Sequence, residues 1–220
     1  MILRDIQIFK KISTASLYSA LYDLGYKNCW MKGIKPITIN KIRVVGIAKT
    51  LKYLPLNNTL KKDVYNEKLP LQAIDEATEK NIIVCDAGGI KVGVFGGCMC
   101  LAMKVKGIQA LIVDGGVRDV PEIKSYNFPV FAKCATPMSI DGYIAPVSID
   151  IPIQCGGVLV RPEDIIVGDD DGVVVIPKEE MEEVMKRGLK YERLDEESRK
   201  RILAGYPIKE AYPPREEWIS

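Results

Sequence analysis

Asn81-Ile82-Ile83-Val84-Cys85-Asp86, Ala110-Leu111-Ile112-Val113-Asp114 and Val130-Phe131-Ala132-Lys133 are three short apolar runs, each followed by a polar or glycine-rich stretch. They are too short for helices. They are also continuous rather than alternating, as expected of strands buried on both faces of a parallel sheet. Between the first two runs lie Gly88-Gly89, Gly93 and Gly96-Gly97. This glycine-rich connection leads into an expected helix over residues 98–106, stopped by Gly107. Between the second and third lie Gly115-Gly116-Val117-Arg118-Asp119 and a short helix expected over residues 120–125. The order β–α–β–α–β makes the chain an α/β protein with a partly parallel central sheet.

Working outward, Ser13-Thr14-Ala15-Ser16 is a capping signal for a helix that carries Leu17, Ala20 and Leu21 and ends at Gly25. Residues 43–54 read as a strand, 57–62 as a loop and 71–79 as a short helix. Beyond the third run, residues 145–153 and 157–161 read as short strands. Ile165-Ile166-Val167-Gly168 and Val173-Val174-Val175-Ile176 form a hairpin about Asp169-Asp170-Asp171-Gly172, whose carboxylates are expected to cap turn amides. A long charged C-terminal helix follows over residues 178–203, with Met181 and Met185 on its core face. We therefore expect one domain over residues 1–203. Residues 204–220 form a proline-punctuated tail whose Tyr206, Tyr212 and Trp218 are suited to packing on a neighbouring subunit.

Composition narrows the function. The 220 residues are 47% hydrophobic and 27% charged, with 31 basic against 29 acidic side chains and a net charge of +2. So balanced a surface lacks the basic face that direct nucleic-acid binding needs, beyond local patches such as Lys61-Lys62 or residues 186–201. There is no histidine, which removes imidazole as base, nucleophile partner or metal ligand. The six cysteines include no C-x-x-C pair, and Cys98-Met99-Cys100 is the only close one. They are expected to be buried, reduced thiols. Met1-Ile2-Leu3-Arg4-Asp5 is not a secretory signal, and no apolar run is long enough for a membrane helix, so a cytoplasmic location is expected.

The chemistry concentrates in two places: Gly96-Gly97, and, after twenty intervening residues, Arg118-Asp119-Val120-Pro121-Glu122. Both follow buried strands, and the carboxyl ends of such strands are where open α/β sheets bind ligands. If Gly96-Gly97 opens a helix, the amides of Cys98, Met99 and Cys100 are placed to receive a carboxylate. Arg118 is a planar donor fork for an oxyanion. Asp119 is a hard oxygen donor for magnesium or manganese, and Glu122, three residues on, can share its side of a short helix. The glycines do not form a dinucleotide fingerprint, and no P-loop lysine follows them.

These residues carry a family resemblance. Val94-Phe95-Gly96-Gly97, Lys106 through Asp119, and Arg161-Pro162-Glu163-Asp164 through Pro177 together resemble the two signatures of the regulator-of-ribonuclease-activity-A family and its 4-hydroxy-4-methyl-2-oxoglutarate aldolases. The resemblance implies a swivelling β/β/α domain, a homotrimer or hexamer, and a site between subunits. It implies a divalent cation, Mg2+ or Mn2+, held by Asp119, with Arg118 as the catalytic oxyanion-binding group. Aldolase members carry an aspartate where this chain has Gly97. A second branch pairs that glycine with Arg-Asp-x-x-Glu-Asp, which Arg118-Asp119-Val120-Pro121-Glu122 matches, with Ile123 in place of the final acid. Glu122 then supplies the missing carboxylate. The implied activity is a metal-dependent lyase releasing pyruvate from a small 2-oxo acid. Loss of the aspartate tilts the expectation from aldol cleavage towards oxaloacetate decarboxylation. The alternative is a non-catalytic, protein-binding regulator of a ribonuclease.

Overall fold

The computed structural model describes residues 6–39, 41–56 and 66–219. The loop expected at 57–62, the Lys61-Lys62 patch and the N-terminal pentapeptide lie outside these residues.

Helix α1 (Thr14–Asp23) starts where the capping signal stands, with the Ser13 hydroxyl accepting the Ser16 amide at 3.1 Å. Strand β1 (Lys35–Pro36) precedes the long β2 (Val44–Pro55), and α2 (Leu69–Glu76) leads to β3 (Asn81–Asp86) and β4 (Gly93–Phe95). Then follow α3 (Gly97–Val105), β5 (Ala110–Val117), α4 (Val120–Ser125) and β6 (Val130–Ala135). Strands β7 (Ile144–Ile149), β8 (Ile153–Cys155), β9 (Val158–Val160), β10 (Ile165–Asp169) and β11 (Gly172–Ile176) come before α5 (Met181–Leu203) and the short α6 (Ile208–Ala211).

The main sheet runs β1-β6-β5-β3-β2-β10-β11, with β4 beside β5 and β7 beside β2. β2, β3, β5 and β6 are parallel, while β1, β7, β10 and β11 pair antiparallel. The central strands are apolar on both faces because both are covered. Ile83, Cys85, Leu111 and Val113 enter one core with Met103 and Ile123, under the crossover helices. Ile82, Val84, Ala110 and Ile112 enter a second with Phe131, Ile166 and Val158. A third core lies where α1 and α5 cover the β10–β11 hairpin, and Met181 and Met185 pack against it as expected.

Two glycine stretches behave differently from their expected role as connections. Gly93 heads a strand, and Gly115-Gly116 continue β5 to Val117. The reason is close backbone approach. A Cβ on Gly116 would lie 2.7 Å from the Val92 carbonyl oxygen and 2.8 Å from the Thr136 methyl. Gly116→Ala therefore overpacks a rigid junction and should cost about 2 kcal/mol, seen as a lower denaturation midpoint in urea.

One extended stretch connects both ends of the sheet. The Met31 amide donates to the Val173 carbonyl at 2.9 Å and the Val175 amide to that of Cys29 at 2.8 Å, while β1, a few residues on, pairs with β6. At the β10–β11 turn Asp169 accepts the Asp171 amide at 3.0 Å, as expected, and also the Thr14 amide at 3.0 Å and hydroxyl at 2.6 Å. This second capping partner of α1 is distant in sequence. After α5 the tail folds back on its own chain, with Arg201 stacked 4.1 Å from the Trp218 ring, and leaves Tyr206, Ile208 and Tyr212 exposed.

Candidate functional site

β4 and β5 run side by side and end together, which brings the start of α3 against the start of α4. The Arg118 amide donates to the Phe95 carbonyl at 3.0 Å, tying the two strand ends. Asp119 then turns the chain with φ +58°, a left-handed conformation that aspartate tolerates better than most residues, and becomes the N-cap of α4. That turn points its carboxylate back at α3, where Oδ2 accepts the Gly97 amide at 3.1 Å. The Arg118 stem lies over the two glycines of the facing segment. A Cβ on Gly93 would meet its Cβ at 3.0 Å, and one on Gly96 would meet its Cγ at 3.2 Å. The Arg118 side chain stays 43% exposed, with only a loose 3.4 Å approach of Nε to Asp119. An exposed pair of that length contributes little to stability and leaves the arginine's donors free.

Glu122 completes the arrangement. At the third position of a helix a glutamate ordinarily reaches back to its own N-cap. Here it crosses to α3, and an added Cβ on Gly97 would lie 2.3 Å from its Oε2. The carboxylate thus fills the space that a side chain at position 97 would use. Gly97 is not among the glycines with left-handed φ, so its backbone does not require glycine; the neighbouring carboxylate does. The other oxygen, Oε1, accepts the Tyr126 phenol. This bond, more than burial, raises the tyrosine to about 12.

The expected anion cradle is smaller than the glycines suggested. The Gly97 amide is taken by Asp119, and the Cys100 amide closes the first helical turn on the Gly96 carbonyl at 3.1 Å. Only the Cys98 and Met99 amides remain without an intrahelical partner, as geometry requires at a helix start. The Cys100 thiol is buried, and burial and then the Asp119 charge push it to about 12, so it stays protonated. Cys98 is exposed.

Among the described residues, no three acidic or sulfur ligands gather into a ready-made metal cage. The donor set nevertheless suits magnesium or manganese, which keep several waters and need only one or two carboxylates. Asp119 and Glu122 both converge on the side-chain-free face of Gly96-Gly97, where a Cβ on Gly96 would sit 2.5 Å from Asp119 Oδ2. Beside them opens a shallow cavity of 370 Å³ lined by Arg118, Asp119, Pro121, Ala135, Thr136 and Pro137.

A second charged feature at the same sheet end gave no sequence signal. Lys52, Asp86 and Asp114 stand in register on β2, β3 and β5, and Lys133 follows on β6. Lys52 pairs with buried Asp86 at 2.6 Å, and Lys133 pairs with Asp114. The two aspartates also accept the Gln154 amide at 3.1 Å and the Gly156 amide at 2.9 Å, which fastens the β8–β9 turn over the strand ends. Only the polar residue ending each apolar run, Asp86, Asp114 and Lys133, was visible beforehand, not the pairing.

Comparison with known proteins adds the following. The family model described as Aldolase/RraA matches residues 14–175. A protein from Halalkalibacterium halodurans, provisionally named a 4-hydroxy-4-methyl-2-oxoglutarate aldolase, is 37% identical over 89% of this chain and 87% of its own length. An uncharacterized protein of Methanocaldococcus jannaschii is 35% identical over 94% and 93% respectively. A crystal structure from Streptomyces coelicolor, described as an unusual member of the RNase ES inhibitor RraA protein family, superposes with a TM-score of 0.80. It is 27% identical and covers 89% of this chain and 96% of its own.

Proposed function

Since the chain belongs to the Aldolase/RraA family, we propose that it is a divalent-metal-dependent carbon–carbon lyase that releases pyruvate from a small 2-oxo acid. The observation that carries this reading is the meeting of Asp119, Glu122 and Arg118 over a glycine pair whose missing side chains leave the space that their side chains occupy.

Asp119 and Glu122 would hold Mg2+ or Mn2+. A bound divalent ion supplies Lewis-acid polarisation of the 2-oxo and carboxylate oxygens. Arg118, exposed beside the cavity, donates N–H groups to the oxygen that gains negative charge as the C3–C4 bond breaks. Loss of carbon dioxide from oxaloacetate needs no further group. Aldol cleavage of a 4-hydroxy-2-oxo acid needs a base for the hydroxyl proton, and Glu122, whose Oε2 lies 2.3 Å from the Cβ position of Gly97, would be the carboxylate to serve. Decarboxylation, which needs no such base, stays the favoured reaction, and both substrates belong to one proposed activity. The protein acts as a homo-oligomer, a trimer or a hexamer, and the exposed Tyr206, Ile208 and Tyr212 of the tail suit a subunit contact.

The test is pyruvate release from oxaloacetate and from 4-hydroxy-2-oxo acids, with Mg2+ or Mn2+ and with chelator. Arg118→Ala should retain metal affinity and lose about two orders of magnitude in kcat, the usual effect of removing one preorganised oxyanion donor. Arg118→Lys should recover little, because a point charge does not reproduce the planar fork. Absence of metal-dependent turnover in the wild type would pass the case to the protein-binding regulator.

A further inference from the structure

We infer that Tyr126 is a positioning residue for the Glu122 carboxylate, dividing its two oxygens between an anchor and a working position. The inference rests on the lyase reading above. It adds a residue that neither the signature motif nor the sequence reading contains.

Tyr126 lies four residues after Glu122, at the C-cap of α4, so the two side chains emerge from one face of the same short helix. Its ring packs at the margin of the core that includes Phe95, Cys100 and Ile123. One side of the half-buried ring thus rests on the core, while its hydroxyl lies at the surface and donates to Glu122 Oε1. The Ser125 hydroxyl donates to the Glu122 carbonyl at 2.6 Å and ties the same residue at its backbone. A glutamate has three freely turning side-chain bonds, and nothing else among the described contacts fixes this one. Without the phenol, the carboxylate would be free to leave the surface of Gly97 for water. With Oε1 held, Oε2 is the oxygen directed at Gly97 and the Asp119 carboxylate beside it. Oε2 lies nearer the Gly97 face than Oε1, with the Cβ position of Gly97 at 2.3 Å from the first and 3.1 Å from the second, so Oε2 is the oxygen better placed for an ion, an ion's water or a substrate proton.

The experiment is a double-mutant cycle of Tyr126→Phe and Glu122→Gln in the full-length protein, with two readouts. Mn2+ binding is followed by electron paramagnetic resonance, and pyruvate release is followed on whichever 2-oxo acid the wild type cleaves. Tyr126→Phe keeps the ring and its packing, so a thermal midpoint close to the wild type's shows that the fold is unchanged. The expected result is a loss of about tenfold in kcat, with KM moving less than about twofold. A loss of severalfold in Mn2+ affinity should accompany it. Both losses should vanish when Glu122 is already glutamine, since the tyrosine acts only through that carboxylate. Equal losses in both backgrounds, or no loss in either, overturn the assignment. If the wild type binds Mn2+ but cleaves no 2-oxo acid, the lyase reading falls, while the cycle in Mn2+ affinity still decides Tyr126. If the wild type binds no Mn2+, both fall.

Discussion

Gly97→Ala should leave the protein folded and nearly inactive. The added methyl would sit 2.3 Å from Glu122 Oε2, closer than any real contact, and the obstacle is the far end of a flexible side chain that can swing towards solvent. Relief is therefore cheap in stability. Alanine's better helix propensity offsets the remainder by up to about 1 kcal/mol. The cost falls on geometry instead. A catalytic carboxylate displaced by an ångström or more loses on the order of 100-fold in rate. Gly97→Asp alone should be as poor, since two carboxylates would compete for one volume. Gly97→Asp combined with Glu122→Ala is the informative variant. It moves the carboxylate from α4 to α3 and should regain at least tenfold over Gly97→Ala in pyruvate release. A Gly97→Ala enzyme within threefold of the wild type would show that Glu122 does no work at that position.

The second large effect is at Asp119, whose substitutions should separate folding from metal binding. Its carboxylate accepts the Gly97 amide and its backbone is left-handed. Asparagine reproduces both features, because its side-chain oxygen accepts the same bond and its backbone tolerates the same φ. Asp119→Asn should therefore unfold within about 0.5 kcal/mol of the wild type in chelator. Asp119→Ala loses the bond from the Gly97 amide and places alanine in a strained conformation, together about 2 kcal/mol. Metal affinity should fall in both. Removing even an outer partner of a metal ligand costs 10- to 100-fold, so loss of the ligand's charge should cost at least about 100-fold. Mn2+ titration and urea unfolding in chelator read the two effects apart. Wild-type Mn2+ affinity in Asp119→Asn would exclude this carboxylate as a ligand.

The α/β class and most element positions were legible because the central strands are covered on both faces and read as unbroken apolar runs. Arg118, Asp119, Glu122 and the glycine pair were legible as a motif, through their spacing and a family resemblance. The reason for Gly97 was not, because it depends on a side chain 25 residues away that a helix turn brings back. Gly115-Gly116 read as a turn, since sequence does not distinguish a glycine that bends the chain from one that admits a neighbour. The Cys100 amide read as free because helix starts are uncertain by a residue, and one residue decides which amides are bonded. Tyr126 gave no signal, and neither did the Lys52–Asp86 and Asp114–Lys133 pairs, which exist only through strand register.

The stretch that links both ends of the sheet also constrains the order in which the fold can be completed. Cys29, Trp30 and Met31 find their partners on Val173 to Val175, and Lys35-Pro36 on Phe131-Ala132. These partners lie about 100 to 145 residues further along the chain, so a ribosome delivers the N-terminal segment long before anything exists for it to pair with. β2 likewise waits for β10. Closure is thus a late, long-range event with a high loop-entropy cost, and the stretch from Cys29 to Met31 has no strand to pair with until Val173 to Val175 have emerged.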